Sequence, residues 1–405
     1  MKAEKRPIRQ AIRLVGSLLG WLAGLALVAA QCGGPTPPLP VTPSTSARVR
    51  IAVLTPMTGE LATFGEIVRN GITLAFDEWN DRGGLNGQFI EYVFEDTRCD
   101  PLEARRAAER AIDEQGARFV VGGVCSEEAI PIARVADGRG ALFVAATATH
   151  PLVTVDDTGA TRRRVFRAGF AYPYQGRAAA RFALDELSAR RAAVLTNPGD
   201  DFVQSLADEF IAAFVAGGGQ VVLTPADPLE ATANGSPGAG LDAAIAEMVA
   251  MKPDVVYVPA AYPVANQVGS QVRAQALGVT LIGSEAWDNG ALDLQALEGA
   301  YFTLHYSRQT PYPIARAWEE RYLSAFAVEP DTLAALGYDA ANLLASGIQS
   351  AASLSPDDVA RALETLEFEG VTGRWRFDSR HNPLKPVVVV RIQEGDVIFY
   401  KDIQP

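Results

Sequence analysis

From Arg50 onward, short apolar runs rich in β-branched residues alternate with longer stretches whose apolar residues recur at helical spacing. This alternation restricts the fold more than any other feature of the chain. Strands are expected at residues 50–54, 90–95, 119–123, 142–146 and 165–167, and a second series at 192–196, 221–224, 255–259 and 280–283. Between the first two, Phe64, Val68, Gly71, Ile72, Ala75 and Trp79 share one helical face, and Asp81-Arg82-Gly83-Gly84 supplies a stop. Strands separated by amphipathic helices predict parallel sheets covered on both faces. Near Ala300 the character resets: residues 301–306, helices around 314–327 and 336–352, then antiparallel strands and turns over 370–400. The 405 residues exceed one comfortable hydrophobic core. The expectation is an α/β chain with two Rossmann-like lobes, each a mostly parallel sheet flanked by helices. Ligands of such sheets lie off the carboxyl ends of the strands.

The first 32 residues differ in kind. Lys2, Lys5, Arg6, Arg9 and Arg13 precede an uncharged, largely apolar run over residues 14–30, the layout of an export signal. An uncleaved anchor helix is the competing reading, and either one leaves the remainder outside the cytoplasm. Val28-Ala29-Ala30-Gln31-Cys32 resembles a lipobox, with Cys32 as the lipid-attachment residue, although Gln31 departs from the small residue usual at that position. Residues 33–48 are rich in Pro, Thr and Ser and read as a tether that stands a globular part off a membrane.

A formal net charge of -12 argues against nucleic acid, whose backbone demands clustered Lys and Arg. After Cys32 only Cys99 and Cys125 remain, and in an oxidising compartment such a pair is most simply a disulfide, worth about 3 kcal/mol in the chain-entropy model. Two Cys with scattered His150, His305 and His381 give no zinc-like spacing, so no metal is expected. The chain carries no phosphate-binding glycine loop, no H-E-x-x-H and no G-x-S-x-G elbow, and Gly217-Gly218-Gly219 precedes a strand instead of opening a helix. No cofactor and no catalytic residues are expected.

Several segments together carry a resemblance. They are residues 53–59 with Phe64-Gly65, Asn80-Asp81-Arg82-Gly83-Gly84-Leu85-Asn86-Gly87, Glu95-Asp96-Thr97-Arg98-Cys99-Asp100-Pro101 and Val121-Gly122-Gly123-Val124-Cys125-Ser126. Further along come Ala148-Thr149-His150-Pro151, Phe166-Arg167 with Gln175-Gly176, Gly337-Tyr338-Asp339-Ala340, and Gly373-Arg374-Trp375-Arg376-Phe377-Asp378. In order and spacing they resemble the leucine/isoleucine/valine-binding proteins of branched-chain amino acid ABC importers. The resemblance runs from about residue 49 to the end.

It implies a type I periplasmic-binding fold whose two lobes are joined by three crossovers near residues 167, 302 and 384. Lobe 1 would be 49–167 plus 302–383, and lobe 2 would be 168–301 plus 384–405. By the same resemblance, Cys99 and Cys125 fall on the family's disulfide. Ser126 and Thr149, with Thr147, would hold the α-carboxylate of an amino acid; the Val124 carbonyl and Glu285 would take its ammonium, with Tyr262 beside them. Phe64 and Phe202 would line the side-chain pocket. Read without the resemblance, Ser126 is a helix cap, Thr149 a turn residue before Pro151, Glu285 a solvated loop acid and Tyr262 a surface aromatic.

Three residues depart from the pattern. Glu127 and Glu128 stand where small hydroxylic residues are usual and could repel a carboxylate, face solvent or favour a helix start. Tyr174 replaces an acid. The implied function is capture of an amino acid, branched-chain or otherwise mainly apolar, and its delivery to a permease and ATPase complex, with no enzyme activity. The alternative is a ligand-sensing or regulatory receptor of the same fold, for an amide or another small molecule. That class would need a transmembrane and cytoplasmic portion, which is not expected past Pro405.

Overall fold

The computed structural model describes residues 48–225 and 239–404. The signal segment, Cys32 and nearly all of the tether lie outside the described residues.

The first series of apolar runs forms β1 (Val49–Thr55), β2 (Ile90–Asp96), β3 (Phe119–Gly122), β4 (Leu142–Ala145) and β5 (Val165–Arg167). They pair in parallel in the order β2-β1-β3-β4-β5. Three helices connect them: α1 (Ala62–Asp81), α2 (Pro101–Glu109) and α3 (Ser126–Gly138). Asp100 starts α2 by accepting from the Leu102 and Glu103 amides, each at 2.9 Å. Both faces of β3 and β4 are buried, which is why these strands read as unbroken apolar runs.

The second series follows with α4 (Tyr172–Asp185), β6 (Arg191–Val194), α5 (Asp201–Ala216), β7 (Gln220–Leu223), α6 (Ala239–Met251), β8 (Val255–Val258), α7 (Tyr262–Ala274), β9 (Thr280–Gly283) and β10 (Tyr301–Leu304). The chain then returns to the first sheet through α8 (Pro313–Phe326), α9 (Thr332–Ser350), α10 (Pro356–Glu364) and a small antiparallel sheet of β11 (Phe368–Gly370), β12 (Gly373–Phe377) and β13 (Pro383–Leu384). It ends in β14 (Val387–Gln393) and β15 (Asp396–Ile403), which complete a seven-stranded sheet in the order β15-β14-β10-β9-β8-β6-β7. Within it, β14 lies antiparallel to both β10 and β15.

Helices cover both faces of the five-stranded and the seven-stranded sheet. In the first lobe α1, α8, α9 and α10 bury one face, and α2 with α3 bury the other. In the second, α6 and α7 lie opposite α4 and α5. α1 and α9 cross closely because two glycines meet there: a Cβ on Gly71 would come within 2.3 Å of the Ala334 carbonyl oxygen, and one on Gly337 within 2.4 Å of the Val68 carbonyl oxygen.

The chain passes between the sheets three times: after β5, after β10 and between β13 and β14. The second passage follows Leu304 and the third follows Leu384, beside the positions near 302 and 384. Residues 302–304 complete β10 by pairing with β9 and β14, and Leu384 still pairs with Arg376 of β12. No helix among the described residues is long and apolar enough to cross a membrane.

Candidate functional site

The carboxyl ends of both sheets face one cavity of about 360 Å³. The first lobe contributes Phe64, Val124, Cys125, Ser126, Thr147, Ala148 and Thr149, together with Asp331, Thr332, Leu333 and Leu336 from the start of α9. The second contributes Glu285, Asp288, Leu304 and His305. A larger groove, about 650 Å³, runs over α1, α8, α9 and β11 away from the strand ends. It contains none of the expected residues, and its Arg321 is already paired with Glu78 at 2.7 Å.

Local backbone chemistry builds each wall. β3 ends at Gly122 and Gly123, whose φ values of 134° and 75° turn the chain sharply toward α3. A side chain at Gly122 would meet the Leu54 carbonyl oxygen at 2.0 Å. Residues 124–126 then line the cavity. Thr147 hydrogen-bonds to this wall, its Oγ1 donating to the Val124 carbonyl at 2.7 Å. Ser126 opens α3, and its Oγ accepts from the His150 amide at 3.3 Å. The loop carrying Thr147 and Thr149 is held from below by Arg167, which is fully buried and donates to the Ala148 and His150 carbonyls at 3.3 and 2.8 Å.

On the facing wall, Glu285 begins a short 3-10 turn after β9. Trp287 anchors that turn, its Nε1 donating to the Val258 and Ala260 carbonyls at 3.1 Å, in space that Gly283 leaves open. Glu285 Oε2 lies 2.8 Å from His305 Nε2. The imidazole is 1% exposed and stacks on Phe170 with ring centroids 3.5 Å apart. Burial pulls its pKa below the ordinary value, while the neighbouring Glu285 opposes the shift. Asp288 accepts from Thr332 Oγ1 at 3.1 Å, a hydrogen bond between the lobes. Burial raises its pKa, with Asp331 and Glu285 adding to the shift.

Six of the eight residues expected at the ligand, Phe64, Val124, Ser126, Thr147, Thr149 and Glu285, therefore line one cavity. Phe202 and Tyr262 do not. They stand on the first turns of α5 and α7, beyond the carboxyl ends of β6 and β8, and Phe202 packs edge-on against Tyr172 at 5.7 Å. Cys99 and Cys125 are joined as a disulfide with Cα atoms 6.1 Å apart. Among the described residues, the group of side chains with metal-ligand spacing is Cys99, Cys125 and Glu127, and the disulfide removes both of its thiolates.

The family model for periplasmic binding proteins matches residues 48–396. The chain belongs to that family. This binding protein is 30% identical to a Leu/Ile/Val-binding protein of Rhizobium johnstonii over 334 residues, 80% of this chain and 86% of that one. It superposes on a leucine-binding protein of Thermotoga maritima with a TM-score of 0.71 and 31% identity, covering 88% of this chain and 99% of the other. A solute-binding protein of an ABC transporter from R. palustris, in complex with benzoate, matches with a TM-score of 0.68 and 23% identity over 89% of this chain and 97% of that one. At that identity the likeness shows the shared two-lobed fold alone. The family places the folded part of the binding protein outside the cytoplasm.

The three departures from the family pattern have separate explanations. Glu127 is exposed, whereas Glu128 is fully buried beside the disulfide. Tyr174 is half-buried and donates from its hydroxyl to the Lys385 carbonyl at 2.9 Å, tying α4 to the third crossover. His305, Asp288, Asp331 and Thr332 were not anticipated as cavity residues. Asp288 could have been found from Glu285, since one 3-10 turn separates them, but His305 follows β10 and nothing local marks it.

Proposed function

We propose that this chain is the substrate-binding component of an ABC importer, which captures an amino acid between its lobes and delivers it to a permease. One observation carries the reading: the cavity has two chemical poles on opposite lobes. The first wall offers the Ser126, Thr147 and Thr149 hydroxyls at the amino-terminal end of α3, where an anion is favoured. The second wall offers the Glu285 carboxylate beside the buried His305 imidazole. An α-amino acid presents the matching carboxylate and ammonium. The names of the relatives, Leu/Ile/Val-binding and leucine-binding, point the same way. Capture and release by hinge closure requires no covalent chemistry, so the role is transport and not catalysis.

Calorimetric titration of the exported protein with the proteinogenic amino acids is expected to give micromolar or tighter binding for at least one of them. Absence of heat and of competition for every amino acid in the set would remove this reading while leaving the family membership intact.

The proposal includes a lipid on Cys32, because a basic and then apolar segment precedes that residue and a Pro-rich stretch follows it. Cys32→Ala protein should then be released from membranes in a fractionation experiment. Unchanged membrane retention would favour an uncleaved anchor helix.

A further inference from the structure

We infer that Glu128 is a positioning residue for ligand capture: its carboxylate holds the backbone of residues 123–125 so that the Val124 carbonyl and Ser126 face the cleft. The inference rests on the amino-acid reading of this site and assigns a role to a residue that does not line the cavity.

The wall is pinned from two sides. On one side, Thr147 takes the carbonyls: its amide donates to the Gly123 oxygen at 3.3 Å and its Oγ1 to the Val124 oxygen at 2.7 Å. On the other side, Glu128 takes the amides. It accepts from the Val124 N–H and the Thr97 hydroxyl, and the Cys125 and Cys99 amides also act on it. Two successive peptide planes are thus fixed at both edges, directly after a glycine pair whose dihedral angles provide no restraint of their own. A carbonyl oxygen has two acceptor positions, and Thr147 uses one on Val124. The other remains for a donor in the cleft.

Glu128 is the third residue of α3, so helix capping accounts for its contact with the Cys125 amide but not for those with Val124 and Thr97. Glu128 is fully buried, and none of its hydrogen-bond donors is a cation. Burying a carboxylate this way is costly, and an apolar side chain of similar size would relieve the cost. Burial accordingly pushes its pKa up from 4.5 to about 7, against the pull of its hydrogen bonds. Such a group favours the folded state most when protonated, so its contribution to stability declines as pH rises from 4.5 through 7. At pH 8 the ionised carboxylate opposes folding while it orders the wall. Stability and binding should therefore respond to its removal with opposite signs.

The test compares wild-type and Glu128→Gln protein at pH 8 by three measurements: urea unfolding, hydrogen exchange of peptides covering residues 123–128, and calorimetry with L-leucine. Glu128→Gln should unfold at equal or higher urea, exchange faster in that segment, and bind L-leucine at least tenfold more weakly. Glu128→Asp, which keeps the charge on a shorter arm, should recover part of the protection. Unchanged exchange in residues 123–128 overturns the inference whether or not L-leucine binds. A loosened segment with unchanged L-leucine affinity also overturns it, since the wall would then be ordered to no purpose. If wild-type protein binds no amino acid, the proposed function fails by itself, and the exchange measurement still decides whether Glu128 holds the wall.

Discussion

Glu285→Gln should lower the affinity for the captured amino acid at least a hundredfold while leaving the fold intact. The carboxylate lines the cavity next to His305, whose burial disfavours the charged imidazolium that would otherwise pair with it. Lys385 also acts on Glu285, but it is fully buried and its ammonium donates to Thr372 Oγ1 at 2.9 Å. Closing the lobes over an amino acid removes its ammonium from water. A buried charge deprived of its partner costs about 3–5 kcal/mol, and each 1.4 kcal/mol is about a factor of ten in affinity. Gln keeps the shape and removes only the charge. Calorimetry on the variant, with circular dichroism to confirm folding, reads the effect directly. Near-wild-type affinity would show that the captured molecule carries no ammonium at this pole.

Asp339→Ala is expected to cost about 3–5 kcal/mol of stability, the penalty for breaking a buried charge pair by removing one member. Asp339 sits on α9 with no exposure and accepts from the Val371 amide at 2.8 Å, the Thr372 amide at 2.9 Å and the Thr372 hydroxyl at 2.6 Å. That hydroxyl in turn accepts from Lys385 on the third crossover. The chain Asp339, Thr372, Lys385 therefore links a helix of the first lobe to the third crossover through buried side chains. Burial pulls the Lys385 pKa down to about 7, although Asp339 and Glu285 oppose the shift. The folded value lies below the unfolded one, so this group penalises folding most below pH 7, and the penalty is relieved as pH rises from 7 toward 10.5. Without Asp339 the lysine loses its main support, and the destabilisation should be larger at pH 6 than at pH 9. Urea unfolding at the two pH values checks both magnitude and sign. The idea fails if the variant unfolds within about 0.5 kcal/mol of wild type at pH 6, the range of ordinary surface substitutions. The double variant Asp339→Leu with Lys385→Met should recover much of the loss, because removing both charges leaves no unpaired ion.

Much of the fold could be read from the chain because its signals are local. The period-2 and period-3.6 patterns located the parallel strands to within a residue or two, and Gly83-Gly84 ended α1 where expected. The helix expected at 336–352 begins earlier, at Thr332, since Asp331 caps it by accepting from the Ala334 amide at 2.9 Å. The nine-residue helix α10 was not anticipated, being too short for a periodic signal to stand out. The exact residue at which a sheet stops is not local: pairing between distant strands carries β10 to Leu304 and β13 to Leu384.

The residues of the cleft divide in the same way. Ser126, Thr149 and Glu285 each follow the end of a strand that the sequence marks, so a family resemblance was enough to single them out. The two-lobed α/β architecture and the loops from which a site is built were thus legible in the chain, since backbone periodicity and turn chemistry act over a few residues. Only the packed fold turns Glu128 inward to the Val124 amide while its neighbour Glu127 faces solvent. It also placed His305 behind Glu285 and sealed Lys385 against Thr372. These outcomes depend on burial and on partners far apart in the chain, and the free energy of a charged group is set by what surrounds it rather than by what precedes it.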